Sequence, residues 1–220
     1  GGEGGGHTGS VLTSLLVPEV VDGVAGTDVV VLAAGGFSDG RGLAAAMAWG
    51  ADGVAMGTRF LLTQESHVPA HVKDVYLSTA LNGTVVTTSI DGAPQRVIRT
   101  AMIDALEKSP GLVRFPRAAN NAVRFARQAG VSLPDLARTG LQMHKDQELS
   151  WAQVALAANA PMMTKASVLD GGVEVGILPT GQVVGVIDEL PTVAELLERI
   201  MDEADRTLTR LCGQGQAPTH

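Results

Sequence analysis

Cysteine is almost absent from this chain: there is one in 220 residues, Cys212, near the C-terminus. A lone thiol cannot close a disulfide within the chain, so no disulfide framework is expected, and nothing in the cysteine usage points to an oxidising compartment. Aromatic residues make up only 3% of the sequence, so a core has to be assembled from aliphatic side chains. Positive charge is in deficit, with 16 Lys and Arg against 23 Asp and Glu and a formal net charge of −7. That balance argues against a nucleic-acid partner, which demands clustered basic residues. No apolar run approaches the ~18 residues that span a bilayer; the longest clear one is Val29 to Ala34. The first residues have neither the basic region nor the apolar stretch of a signal peptide. The expectation is a cytoplasmic protein with no membrane partner.

What is present is aliphatic and rich in glycine. Hydrophobic residues make up 45% of the chain and charged residues 18%, which is ordinary for a globular protein. The abundance of alanine, valine and leucine suits an α/β fold with parallel strands buried on both faces. Asp28 to Ala34 (DVVVLAA) is a β-branched run closed by Gly35-Gly36 and reads as a buried strand. Ser38 and Asp39 offer N-cap oxygens to a helix over Arg41 to Trp49, ending at Gly50. Asp52 to Met56 is a second short strand, closed by Gly57-Thr58, with a helix starting at Arg59 to Thr63. This alternation is a βαβα unit, which implies parallel strands.

Around this unit the pattern is less regular. Val11 to Val24 reads as a loop entering a helix, with Pro18 in its first turn. Val68 to Ser78 reads as a helix, and Thr84 to Ser89 as a strand or extended edge. From Gln95 to about Ala166 the character changes. Val97 to Lys108, Ala118 to Ala129, Leu133 to Thr139 and Trp151 to Asn159 all have helical spacing. Pro179 to Gln182 is a tight loop before the apolar Val183 to Ile187. Thr192 and Glu195 form a capping-box pattern for a last helix, Val193 to about Leu211. The expected organisation is residues 1–94, then a mostly helical excursion or lid over 95–166, then a return segment and C-terminal helix over 167–220.

Two features carry chemistry. The turns Ala34-Gly35-Gly36-Phe37 and Met56-Gly57-Thr58 each end a strand and precede a helix. Adjacent parallel strands bring such turns side by side, where their backbone N–H groups can cradle a phosphate without a lysine. Each turn alone could equally be only a tight connection. The pair at consecutive strand ends favours a ligand site, because ligands bind at the βα turns of barrels and open sheets. Neither turn is a Walker A loop, and no convincing dinucleotide fingerprint occurs.

The second feature is His7, which closes the nearly side-chain-free stretch Gly1-Gly2-Glu3-Gly4-Gly5-Gly6-His7-Thr8-Gly9. Imidazole titrates near neutrality and can act as a general base; by residue type alone, a flexible terminal histidine is the other reading. Glu3 is either a partner for His7 or a cap for nearby N–H groups. His67 and His71 have i, i+4 spacing, but Pro69 lies between them and no third ligand is evident, so no metal site is expected. His144, beside Lys145 and Asp146, reads as part of a polar loop.

Together these residues resemble the nitronate monooxygenase (2-nitropropane dioxygenase-like) family of flavoproteins, whose fold and motifs the flavin-dependent enoyl-acyl-carrier-protein reductases share. Gly1 to Gly9 looks like the family's catalytic-histidine loop. Ala33 to Gly42 looks like its seventh strand and phosphate turn, and Gly53 to Phe60 like its eighth. Thr180 to Gly185 looks like its closing segment, so the resemblance covers most of the chain. It implies an α/β fold, the C-terminal portion of an FMN-binding TIM (β/α)8 barrel with strands seven and eight present. It implies that Gly35, Gly36, Gly57 and Thr58 hold the FMN phosphate and that Gly5 and Gly6 approach the flavin. Met56, Gly181 and Gln182 join the cofactor site, and His7 is the catalytic imidazole. Gly4 stands where the family usually has alanine. The first six strands, and a flavin-contacting glutamine that usually precedes the position of Gly1, are not in this chain. Two strands cannot close a barrel, so a missing N-terminal barrel portion, in the same or a separate chain, is an expected partner, and without it strand edges would be exposed.

The resemblance implies an FMN-dependent oxidoreductase that oxidises alkyl nitronates or nitroalkanes with O₂, with His7 as base. The alternative is an NAD(P)H-dependent FMN reductase of an enone or of an acyl-CoA or acyl-carrier thioester, as in enoyl reduction or steroid-ring breakdown. The excursion over 95–166 suits this alternative, because it could form a lid or groove for a long substrate. A third reading is a non-catalytic phosphate-ligand binding protein in which His7 is dispensable. The substrate is a small molecule in the first two, and a homo-oligomeric state is left open.

Overall fold

The computed structural model describes residues 1–108 and 160–213. Strand β1 is Gly6–His7, near the N-terminus, and the organising unit is a parallel pair of short strands. Strand β2 (Leu32–Ala34) and strand β3 (Gly53–Ala55) run in register, Leu32 opposite Gly53 and Ala34 opposite Ala55. Helix α2 (Gly40–Ala48) connects them. Of the two candidate caps, Asp39 does the work: its carboxylate accepts from the Gly42 N–H at 2.9 Å. Gly50 then ends the helix region at φ +91°.

Val31 and Ala33 are buried with Val17, Phe37, Ala46 and Ala51, forming the core between the parallel pair, α1 (Thr13–Gly23) and α2. The expectation of a strand buried on both faces is corrected here. Val29, Val30 and Leu32 are 58%, 66% and 61% exposed. Alternate residues of a strand face opposite ways, and among the described residues β2 has one strand neighbour, β3. Pro18 is also relocated, from the first turn to the middle of α1. It has no N–H to offer the Ser14 carbonyl, and the helix start is carried instead by the Leu15 and Leu16 N–H groups donating to Leu12 O.

A second, antiparallel sheet has the order β1 (Gly6–His7), β5 (Gln95–Ile98), β4 (Thr84–Thr87). The helical expectation from Val97 is therefore corrected: residues 95–98 are a strand, and helix α5 runs over Ala101–Lys108. Val97 and Ile98 are β-branched, and Thr84–Thr87 offers them a full ladder; tertiary pairing outweighs local helical spacing. The remaining helical segments expected between Ala118 and Asn159, with His144, lie outside the described residues.

Helix α3 (Gly57–Leu61) follows β3 directly, and α4 (Ala70–Leu77) packs Val72 and Tyr76 against Leu62, Ile98, Leu178 and Val184. Chain returning through α6 (Ala160–Thr164) and a π-helical turn (Lys165–Leu169) reaches the second sheet, where the Ile98 N–H donates to Leu178 O at 2.9 Å. Residues Gln182–Val186 form a short 3₁₀ helix. The last helix, α7 (Val193–Gly213), packs on α2 and begins with the expected capping box. The Thr192 N–H donates to Glu195 Oε2 at 2.8 Å and the Glu195 N–H to Thr192 Oγ1 at 3.2 Å. No helix among the described residues is long and apolar enough to cross a membrane.

Candidate cofactor site

Because β2 and β3 are parallel neighbours, the turns that follow them open on the same edge. The structure adds two further segments there, the glycine-rich stretch before β1 and the loop at Pro179–Gly181, and the four surround a cavity of about 660 Å³. That size is within the range of small-molecule and cofactor sites. Gly5, Gly6, His7, Gly35, Gly36, Met56, Gly57, Thr58 and Gly181 all line it. Gln182 is not on the wall; its N–H donates to Glu3 O at 2.9 Å and ties the closing loop to the glycine stretch.

Among the described residues the wall contains no Lys or Arg, so the donors it offers an anion are backbone N–H groups with the Thr58 and Thr180 hydroxyls and His7. Gly35 and Gly36 have φ +107° and +83°, a left-handed region that side-chain-bearing residues avoid. A Cβ on Gly57 would meet nothing within 4 Å, so the second turn faces open space. Bare amides beside an open volume fit a phosphate-bearing cofactor.

Gly5, on the cavity wall, also packs against the closing loop. A Cβ there would lie 2.4 Å from the Thr180 carbonyl carbon and 2.5 Å from the Gly181 nitrogen. Its bareness lets the glycine stretch lie against the closing loop. That loop is further pinned by the Gly181 N–H donating to Thr58 Oγ1 at 2.8 Å and by the buried Tyr76 hydroxyl donating to Pro179 O at 3.0 Å. Burial pushes the Tyr76 phenol well above its ordinary pKa, so it stays a donor.

His7 stands opposite Gln95 in the β1–β5 pairing. Its side chain is 64% exposed, yet its Nε2 lies 2.7 Å from Asp91 Oδ2, on a carboxylate only 5% exposed. Asp91 Oδ1 accepts from the Ala93 N–H at 3.1 Å, and the Gln95 amide donates to Oδ2. Sequence reasoning missed both Asp91 and Gln95. The one available signal was the polar turn Asp91-Gly92-Ala93-Pro94 after a β-branched run, and nothing local ties that turn to residue 7.

Glu3, weighed as a partner for His7, caps instead: its Oε2 accepts from Thr13 N at 3.0 Å and Thr13 Oγ1 at 2.7 Å at the start of α1. Burial disfavours the charged carboxylate, but the Thr13 hydrogen bonds outweigh it and hold Glu3 below the usual carboxylate pKa. His71 Nε2 is 2.8 Å from the Gly171 carbonyl oxygen.

The chain is similar to known proteins. The chain is 53% identical over 204 residues to a Mycobacterium tuberculosis protein named (3aS,4S,5R,7aS)-5-hydroxy-7a-methyl-1-oxo-octahydro-1H-indene-4-carboxyl-CoA dehydrogenase, covering 93% of this chain and 58% of that protein. It is 34% identical over 145 residues to a probable nitronate monooxygenase of Staphylococcus aureus, covering 61% of this chain and 40% of that one. Among solved structures, FabK from Thermotoga maritima aligns with a TM-score of 0.67 at 31% identity, over 97% of this chain and 55% of that one. The chain thus spans little more than half the length of the first and last of these. A family profile described as nitronate monooxygenase matches residues 1–203. The chain belongs to the nitronate monooxygenase family, a family of oxidoreductases.

Proposed function

We propose that the chain carries the phosphate turns and the base of an FMN-dependent oxidoreductase that acts at a carbon acidified by a neighbouring electron-withdrawing group, with a CoA thioester as substrate. The observation that carries the reading is the meeting of His7 with two lysine-free glycine turns in one cavity. The 53% identity to a CoA-ester dehydrogenase supports the substrate class. Gly35, Gly36, Gly57 and Thr58 would hold the phosphate, with Gly6, Met56 and Gly181 nearer the ring. When bound, the flavin supplies the two-electron redox chemistry. His7 takes or returns the proton on the carbon beside the thioester carbonyl, while the apolar wall at Phe37, Met56 and Leu61 limits water.

In the same proposal, a preceding portion of the protein supplies the remaining barrel strands and covers the exposed Val29, Val30 and Leu32. The greater length of the relatives supports it. A second reading, nitronate oxidation with O₂, is favoured by the family match and uses the same base on the carbon beside a nitro group.

Anaerobic mixing of the flavin-loaded full-length protein separates them. Bleaching of the flavin by a polycyclic acyl-CoA, or by NAD(P)H followed by reoxidation with an unsaturated thioester, is the expected result. Bleaching by an alkyl nitronate alone would replace it with the second reading. A purified protein that neither carries nor takes up flavin would leave phosphate-ligand binding as its role. His7→Gln should lower turnover about 100-fold or more if the imidazole is the base.

A further inference from the structure

We propose that Asp91 and Gln95 select the working nitrogen of His7: they hold Nε2 protonated and leave Nδ1 as the atom that meets the substrate, which makes Asp91 a positioning residue for the site. The inference rests on the reading of His7 as the base and adds the atom that acts and the residues that choose it.

Two donors already converge on Asp91: the Ala93 N–H at 3.1 Å on Oδ1 and the Gln95 amide on Oδ2. An ionised carboxylate can only accept. His7 Nε2 lies 2.7 Å from the same Oδ2, so it must be the donor. Gln95 Nε2 also lies 3.1 Å from His7 Nε2, a contact whose direction depends on which imidazole nitrogen carries the proton. Turning the Gln95 amide over would set its carbonyl oxygen against the Asp91 carboxylate, two acceptors in contact, and would forfeit the bond. A neutral imidazole carries one N–H, so the lone pair is on Nδ1. A proton taken there leaves a cation whose other edge faces a buried carboxylate at 2.7 Å.

The geometry follows from the backbone. His7 is paired across the ladder with Gln95, and Asp91 stands at the turn that opens the same strand. The β4–β5 hairpin is thereby part of the catalytic apparatus and not a spacer between the barrel segment and the excursion.

The competing reading is that Asp91 merely shapes the turn at residues 91–94 through the Ala93 N–H. Asparagine could keep that bond through its Oδ1, so Asp91→Asn separates the two. The full-length holoprotein, labelled with ¹⁵N-histidine, should show for His7 the two-bond ¹H–¹⁵N pattern of the Nε2–H tautomer at alkaline pH, assigned by its loss in His7→Gln. In Asp91→Asn that preference should collapse to a mixture or to Nδ1–H. Turnover should fall about 100-fold in kcat with KM nearly unchanged, and Asp91→Glu should regain part of it. An Nδ1–H tautomer in the unaltered protein, or Asp91→Asn with tautomer and kcat both unchanged, would overturn the proposal. If instead His7→Gln keeps full turnover, the base assignment falls, while the tautomer spectrum still decides what Asp91 does to His7.

Discussion

The hydroxyl of Thr58 accepts a 2.8 Å hydrogen bond from the amide of Gly181, 123 residues later in the chain. This bond joins the turn after β3 to the closing loop, and both sit on the cavity wall. Thr58→Val keeps the shape of the side chain and strands the Gly181 N–H, a loss of about 1–2 kcal/mol. Flavin fluorescence titration should show an approximately tenfold weaker Kd. Thr58→Ser should bind as the unaltered protein does.

Two glycines of the same wall should respond in opposite ways to alanine. At Gly5 the new Cβ would meet the backbone of Thr180 and Gly181, which cannot rotate aside. Gly5→Ala should destabilise the protein by about 1–3 kcal/mol, as overpacking does, visible as a lower melting temperature. At Gly57 the Cβ meets nothing within 4 Å. Gly57→Ala should leave the melting temperature unchanged and weaken cofactor binding, because the methyl group projects into the ligand's space.

The lowered pKa of Glu3 gives a pH dependence with a definite sign. A carboxyl depressed in the folded state stabilises that state above its ordinary pKa of 4.5, and the contribution is lost as pH falls through the folded value. Glu3→Gln removes it at every pH. The unaltered protein should therefore be more stable than Glu3→Gln near neutrality, and their denaturation midpoints should converge as pH drops well below 4.5. Urea denaturation over that range is the measurement.

The capping box of α7 offers a control far from the chemistry. Thr192→Ala removes the hydroxyl that accepts from the Glu195 N–H. It should lower the melting temperature by about 2–4 °C without altering the flavin spectrum.

Much of the site was legible in residues whose role is local. The Gly35-Gly36 and Gly57-Thr58 turns could be found because each closes an apolar run and opens a helix, and the cap at Thr192 followed from its spacing to Glu195. Residues 97 and 98 belong to a strand where the spacing predicts a helix, because Val97 and Ile98 fit a helical spacing as readily as a strand, and only Thr84–Thr87 across the ladder decides between them. Pro18 was misplaced because its tolerance inside α1 depends on the bonds its neighbours keep. The exposed faces of Val30 and Leu32 escaped notice since hydrophobicity reports what a residue prefers, not what lies beside it.

By itself the sequence determined that two glycine turns close neighbouring parallel strands, that neither turn carries a lysine, and that one histidine ends a bare stretch of backbone. These follow from backbone conformation and from periodicity, which act over a few residues. Only the tertiary structure decided which carboxylate serves that histidine. Glu3 is four residues from His7 and turns to Thr13, while Asp91 is 84 residues away and lies at 2.7 Å. The register that sets His7 opposite Gln95 settles the matter, because a hydrogen bond depends on where the ladder brings two groups and not on how near they stand in the chain.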